Sequence, residues 1–442
     1  MKSWSKILIA AIILISSYKR KSKSLAAPQL GYNAGHKTLA DQILMNTPAT
    51  LKLRKNEARR LRAGHLWVFS NEVDTKATPL DQFSPGDQVQ VIDSTEKFIG
   101  NAYINPHSLI CARLFSREKN CQLDQPLLAH RFKMALNLRE RLFPAPYYRL
   151  AFGEGDALPG LVVDRFGDVL SVQISTAGME VHKEAIIAAL DEVLKPKTII
   201  LRNDTSMRTH EGLPSYVETA LGETPEMIDI IENGCRFQAP ALSGQKTGWF
   251  YDHRLNRERA SHYVKGLRVL DVFSYMGAWG IPAAVSGASE VFCVDSSAAA
   301  LDQVETNAAL NNVANKVTTI EGDAFAALKA LREDKQRFDV ILLDPPAFIK
   351  RRKDAKPGLE AYRRINLLAM QLLRRDGLLV SASCSHHLER SRLQEILLKN
   401  SRHLDRNLAL LEQGHQGPDH PIHPAIPETD YLKALFCRLT PS

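Results

Sequence analysis

The residues best equipped for chemistry sit where apolar strands run out. Cys384 lies in Ser383-Cys384-Ser385-His386-His387, directly after the apolar run Leu378–Ala382. A thiolate is a nucleophile that adds to electron-poor carbon, and the C-terminal rim of an open α/β sheet is where ligands bind. Of six cysteines, Cys384 alone is placed this way. Cys293 falls inside a strand and Cys437 in a late apolar run, where a thiol acts as a small hydrophobe. Asp344 follows a second such run, Phe338–Leu343, and opens Asp344-Pro345-Pro346-Ala347-Phe348. A carboxylate there can hold ring and amine nitrogens and offset charge that develops as a nucleophile adds. The prolines stiffen the turn, and Phe348 can stack on a planar ring. His386 or His387 can assist proton removal, although histidines after a strand are commonly just exposed.

These groups must be positioned by the stretch Arg268–Gly280, RVLDVFSYMGAWG. It reads as a buried strand running into a turn and a helix, with Gly277 and Gly280 at the junction. Glycine lets the backbone approach a ligand, and a helix start offers open N–H groups. Asp271 stands at the strand's end. Asp295 closes the next strand, Glu290–Asp295, about 20 residues past the glycines, where a carboxylate takes ribose hydroxyls in doubly wound folds. A third strand, Val317–Ile320, leads into Gly322-Asp323. Asp323 either meets a ligand or caps the helix that begins at Ala324. The strands are near-continuous apolar runs, as buried parallel strands are.

With 442 residues, 44% hydrophobic and 24% charged, the chain has room for two or three globular domains. Its net charge of +8 suits an anionic partner. No CxxC pair occurs, which argues against a zinc site or a disulfide framework and for a reducing compartment. The loop Gly414–Pro427 carries His415, His420 and His423 without a carboxylate at ligand spacing, so it reads as structural or substrate-facing and no metal is expected. Ser243–Arg254 contains Gly-Gln-Lys-Thr-Gly but not GxxxxGK[ST], which excludes nucleotide hydrolysis of the P-loop kind. The apolar run Ile7–Ile15 is too short to span a bilayer.

Upstream, residues 51–62 are basic, and strand-like runs follow at Gln88–Ile92, Phe98–Tyr103 and Leu109–Leu114, separated by turn residues. Short strands with regular turns predict a small β-barrel. His65, Trp67 and Phe69 can stack on bases, but the i, i+2 spacing of the two aromatics equally fits one core-facing side, and the core is the expectation. Leu127–Leu142 reads as a helix. The loop Phe152–Arg165 is rich in glycine and acid; Glu154 and Asp156 are either functional carboxylates or a turn scaffold, the latter being favoured. Val169–Ile174, Val181–Leu194 and Thr198–Arg202 alternate strand, amphipathic helix and strand, a small α+β unit.

The succession DVFSYMGAWG, VFCVD, EGDAF and ILLDPPAF resembles the S-adenosylmethionine-dependent class I methyltransferases. With SGQKTGWFYDHR upstream and SCSHH downstream, the set resembles the family of ribosomal RNA large subunit methyltransferase I over about residues 48–442. The resemblance implies a Rossmann-like seven-stranded methyltransferase domain (229–442), preceded by an RNA-binding PUA barrel (49–127) and an α+β middle domain (128–228), with 1–48 an extension outside the fold. It further implies S-adenosylmethionine as cofactor, C5 of a cytosine in 23S ribosomal RNA as target, a cytoplasmic location and no membrane, and it leaves a homodimer open. Asp271 and Gly277 are then expected at the methionine end, Asp295 at the ribose and Asp323 at the adenine amine, with Phe273 also against the cofactor and Asp344 beside both cofactor and base. Cys384 is the expected nucleophile and Asp344 its catalytic partner. Phe348, Lys350 and Arg351 face the RNA. Lys246 and Arg254 meet either the methionine carboxylate or a phosphate, or else belong to a constrained lid. Related RNA cytosine-C5 enzymes carry a second cysteine after this proline, where this chain has Ala347 and Phe348. A guanine-N2 RNA methyltransferase and a non-catalytic ribosome-assembly protein are the alternatives.

Overall fold

The computed structural model describes residues 49–244 and 247–442. The expectations for residues 1–48, including the run Ile7–Ile15, and for Lys246 fall outside the described residues.

The buried parallel sheet is present. Its strands are β1 (Arg268–Val272), β2 (Glu290–Asp295), β3 (Val317–Glu321), β4 (Phe338–Leu343), β5 (Leu373–Ser383), β6 (Arg406–Gly414) and β7 (Lys433–Pro441). Their spatial order is β3-β2-β1-β4-β5-β7-β6. The first five run parallel, and β7 inserts between β5 and β6, antiparallel to both. Connections reverse direction between β1 and β4, so a crevice opens beyond the C-terminal ends of those two strands. The apolar runs are continuous because both faces are covered. Val269, Val291, Val340 and Val380 pack on one side with Trp279 and the helices Gly280–Val285 and Ala298–Leu310. Leu270, Val272, Ile341 and Leu379 pack on the other with Tyr362 and Leu393. Cys293 and Cys437 are buried within these layers.

The N-terminal β-rich region is a five-stranded sheet in the order Ala49–Lys52, Gln88–Ile92, Phe98–Ile104, Ile110–Ser116, Trp67–Phe69. Its core corrects one expectation. Val68 is fully buried, and Trp67 and Phe69 lie on the opposite face, half-buried. Alternation puts the two aromatics on one side but does not say which side faces inward. Trp67 Nε1 instead donates to Glu154 Oε1 at 2.7 Å, and the Arg60 guanidinium lies over Phe69 at 4.8 Å.

A second five-stranded sheet follows, ordered Tyr216–Leu221, Thr198–Asn203, Val169–Ile174, Leu161–Phe166, Tyr147–Phe152, with helices Gln125–Leu142 and Lys183–Leu194. Asp124 caps the first helix through the Leu127 N–H, two residues ahead of the expected start. The acidic loop is a scaffold. Asp156 takes both Nη atoms of the fully buried Arg139, at 2.6 and 2.7 Å, and the Phe152 N–H. No helix of the described residues is long and apolar enough to cross a membrane.

Candidate active site

Beyond β1 the chain turns through three residues of positive φ: Phe273 (65°), Tyr275 (49°) and Gly277 (81°). Only glycine takes such angles cheaply, so Phe273 and Tyr275 hold strain that the surroundings must impose. The neighbouring strand imposes it. Phe273 and Ser274 both donate to the Val294 carbonyl, at 2.9 and 3.0 Å, and the Tyr275 N–H donates to Asp295 Oδ2 at 2.9 Å. Asp295 Oδ1 accepts from Ser297 N at 3.0 Å. The acid closing β2 therefore shapes the glycine turn from outside it.

Asp271 is fully buried, and its Oδ2 accepts from Gly280 N at 2.8 Å. The helix-start N–H expected to await a ligand is thus already taken, and Asp271 organises the turn. A side chain at Gly280 would be forced to within 2.7 Å of the Cys293 sulfur. Asp271 Oδ1 and Ser274 Oγ are buried with no hydrogen-bond partner among the described residues. Burial pushes the Asp271 carboxyl up to about 8, with Asp344 and Asp295 adding to the rise and the Gly280 N–H and Arg257 opposing it.

Asp344, after β4, accepts from Trp279 Nε1 at 3.1 Å through Oδ2, and its Oδ1 lies 3.3 Å from His253 Nε2. Burial works against its ionised form, but the adjacent His253 and the Trp279 N–H outweigh it, so the carboxyl sits below the usual range. Its side chain keeps 23% exposure, whereas His253 keeps 4%. His253 was not singled out by sequence. Its segment is fixed by aromatic anchors: Trp249 Nε1 donates to Glu232 at 3.0 Å, and Tyr251 stacks on Phe166 while its hydroxyl donates to the Arg165 carbonyl at 3.0 Å. Of the two readings of this segment, the packed one holds for Arg254. It is buried beneath the Phe143 and Tyr251 rings, 3.5 Å from Glu232, and donates to the Tyr147 carbonyl, which removes it from any contact with RNA or cofactor.

After β5, Ser383 shares a hydrogen bond with Tyr362 at 2.8 Å, and Ser385 Oγ donates to the Ile349 carbonyl at 2.6 Å. Cys384, held between them, is half-buried, while Cys111, Cys235, Cys293 and Cys437 are buried. Cys121 is also half-buried but precedes the Gln125–Leu142 helix, far along the chain from these turns. The Ser385–Ile349 bond ties the Cys384 turn to the turn that starts at Asp344, so the two expected catalytic residues share one rim. Phe348 belongs to an aromatic cluster with Tyr362 (4.9 Å between centroids), Phe325 (6.2 Å) and Phe273 (6.4 Å), so it is a wall and not a free stacking ring. Asp323 caps the helix Ala324–Glu333, its Oδ1 accepting from Ala326 N at 3.1 Å. Lys350 and Arg351 are exposed, Arg351 pairing with Asp354 at 3.1 Å, and His386 and His387 are exposed with rings 5.3 Å apart. A cavity of about 570 Å³ lies at Arg337, Asp339 and Arg374–Asp376, at the opposite ends of the strands, and carries none of these groups.

The sequence matches two family models: a PUA-like domain over residues 51–117, and an S-adenosylmethionine-dependent methyltransferase over residues 199–438. It is 35% identical to the ribosomal RNA large subunit methyltransferase I of Erwinia tasmaniensis, across 88% of this chain and 99% of that one. The Yersinia pseudotuberculosis protein of the same name is 34% identical over the same shares. Among solved structures, a methyltransferase complexed with SAH superposes with a TM-score of 0.76 and an S-adenosylmethionine-dependent methyltransferase from Streptococcus mutans with 0.75. They share 21% and 20% identity, each over 88% of this chain and all of the other, which is a likeness of fold.

Proposed function

Because this chain belongs to the ribosomal RNA large subunit methyltransferase I family of S-adenosylmethionine-dependent methyltransferases, we propose that it methylates C5 of a cytosine in 23S ribosomal RNA through a covalent bond from Cys384. The observation that carries this reading is the placement of Cys384, a half-exposed thiol on a turn hydrogen-bonded to the turn of Asp344.

The turn after β1 fits the cofactor. Asp271 Oδ1 and Ser274 Oγ are buried polar atoms left unsatisfied among the described residues, as a ligand-binding turn leaves them, and the Asp295 carboxylate stands at the next strand end. Phe273, Gly277 and Asp295 would hold the cofactor, with Asp323 near its adenine. When bound, S-adenosylmethionine supplies an electrophilic methyl group.

The residues of this chain do the rest. Cytosine C5 is a poor nucleophile. The Cys384 thiolate adds to C6, forming an S–C6 bond, and the displaced ring electrons make C5 enamine-like. After C5 has gained the methyl, loss of its proton lets the ring electrons re-form the double bond and expel the thiolate. An ionised Asp344 accepts an N–H from the exocyclic amine and favours a proton on N3 as charge arrives there. His253 and Trp279 keep it oriented for that task. The exposed run Lys350–Lys353 supplies cations for phosphates close to the target base.

The test is methyl transfer from labelled S-adenosylmethionine to unmodified 23S RNA, followed by nucleoside digestion. Label in 5-methylcytidine that disappears with Cys384→Ala supports the reading. Label in 2-methylguanosine that survives the substitution replaces it with an amine-directed methyltransferase. Cofactor binding without label in any RNA moves the substrate elsewhere.

A further inference from the structure

The rim holding Cys384 contains a buried cation that neither the sequence motifs nor the chemistry above employ. Lys433 is the first residue of β7, and only 5% of it is exposed. In the β5–β7 ladder its backbone pairs with Ser383, the residue before Cys384. Its side chain turns back, and Nζ donates to the carbonyl of Ser385, the residue after Cys384, at 2.6 Å. One residue therefore grips the thiol's turn from both sides. Burying an ammonium whose one hydrogen bond among the described residues goes to a carbonyl is costly, and a fold that needed only to pin this turn has a neutral donor available.

Resting on the reading of Cys384 as nucleophile, the geometry points to Lys433 as a positioning residue that fixes the Cys384 turn and, by its charge, favours the thiolate. The surroundings agree. Burial brings the Lys433 ammonium down to about 8; Asp430 and Cys384 hold it up, and Arg390 adds to the lowering. Near neutral pH the side chain is still mainly charged. A cavity of about 410 Å³ beside it is also lined by His386, Glu389, Arg390, His423 and Asp430. Cys384 is among the charges that act on Lys433, so Lys433 acts on the thiol in turn, and a nearby opposite charge lowers a thiol's pKa by about one unit or more, which near neutrality is about tenfold more thiolate.

The test measures alkylation of Cys384 by iodoacetamide against pH, with the Cys384 peptide followed by mass spectrometry so that Cys121 does not contribute. Wild type is compared with Lys433→Met, Lys433→Gln and Lys433→Arg, each checked for binding of S-adenosylhomocysteine. Both neutral variants are expected to move the titration midpoint up by about one pH unit and slow alkylation at pH 7 about tenfold, with Lys433→Arg restoring most of the rate. Lys433→Gln keeps a hydrogen-bond donor without the charge; if Lys433→Met fails to bind the cofactor product, the glutamine variant decides. An unchanged midpoint in a neutral variant that binds S-adenosylhomocysteine normally overturns the inference. This readout does not depend on catalysis, so persistence of 5-methylcytidine synthesis in Cys384→Ala would sink the nucleophile assignment separately.

Discussion

Between the acidic loop and the C-terminal loop, two carboxylates are closed on arginines. Asp156 takes a two-pronged bond from Arg139, and Asp164 takes one from Arg149 at 2.8 and 2.8 Å, with Thr247 Oγ1 completing it at 2.5 Å. At the strand ends the carboxylates are held less completely. Among the described residues Asp271 has no salt-bridge partner and one unbonded oxygen, and Asp344 keeps a fraction of its surface open. Closed pairs hold loops; unfinished ones mark where a ligand completes the hydrogen bonding. Arg139 also reaches the Asp419 carbonyl at 2.9 Å, and Asp419 accepts from Arg149 N at 3.1 Å, so the joint ties the middle sheet to the C-terminal loop.

That contrast can be broken at either end. The largest effect is expected from Arg139→Ala. It strands the Asp156 carboxylate in the interior and should cost roughly 3–5 kcal/mol in denaturant unfolding, without a specific change in affinity for S-adenosylhomocysteine. A variant that keeps its stability but loses the cofactor would show that the joint belongs to the site. Next, Asp344→Asn should lower methyl transfer about 10²–10³-fold while leaving the unfolding midpoint near that of wild type, since it removes a charge from the rim and not from the core. Equal losses of stability and rate would erase the distinction between the regions.

The third effect is a pH slope. A carboxyl raised to about 8 in the fold, against the ordinary carboxylate value when unfolded, leaves the folded state holding the extra proton between those limits. Its contribution to stability is complete below about pH 4 and is lost as pH rises to about 8. Without cofactor, wild type should therefore lose stability over that window by about one proton more than Asp271→Asn, measured from unfolding midpoints at successive pH values. Parallel curves would mean that Asp271 is already ionised in the fold.

The sequence made the ends of the strands legible because acids and a cysteine interrupt apolar runs there, and interruption is a local signal. Asp323 was legible as a strand-end acid, with a ligand contact expected at the adenine and capping as the alternative; the structure shows the cap. What the sequence hid depends on distant partners. His253 and Asp344 are brought together only by the sheet, and Lys433 reaches Ser385 only because β7 inserts beside β5. Arg254 could be read either as a ligand-facing cation or as part of a packed lid; with Arg257 it meets Glu232 at i, i+3 spacing on one helix face, and burial follows from an acid lying more than twenty residues earlier in the chain. Trp67 and Phe69 were placed correctly on a common side, and only tertiary packing decides which side is inward.

The most direct test of the central claim is to trap the covalent step. RNA carrying 5-fluorocytidine cannot lose a proton from C5 after methylation, so a thiol bonded to C6 stays attached. With S-adenosylmethionine present, the wild-type protein is predicted to give a denaturant-stable RNA complex whose digested peptide carries the modification on Cys384, and Cys384→Ala is predicted to give none. Absence of any such complex, or its appearance on another residue, from a preparation that methylates ordinary 23S RNA would contradict the account.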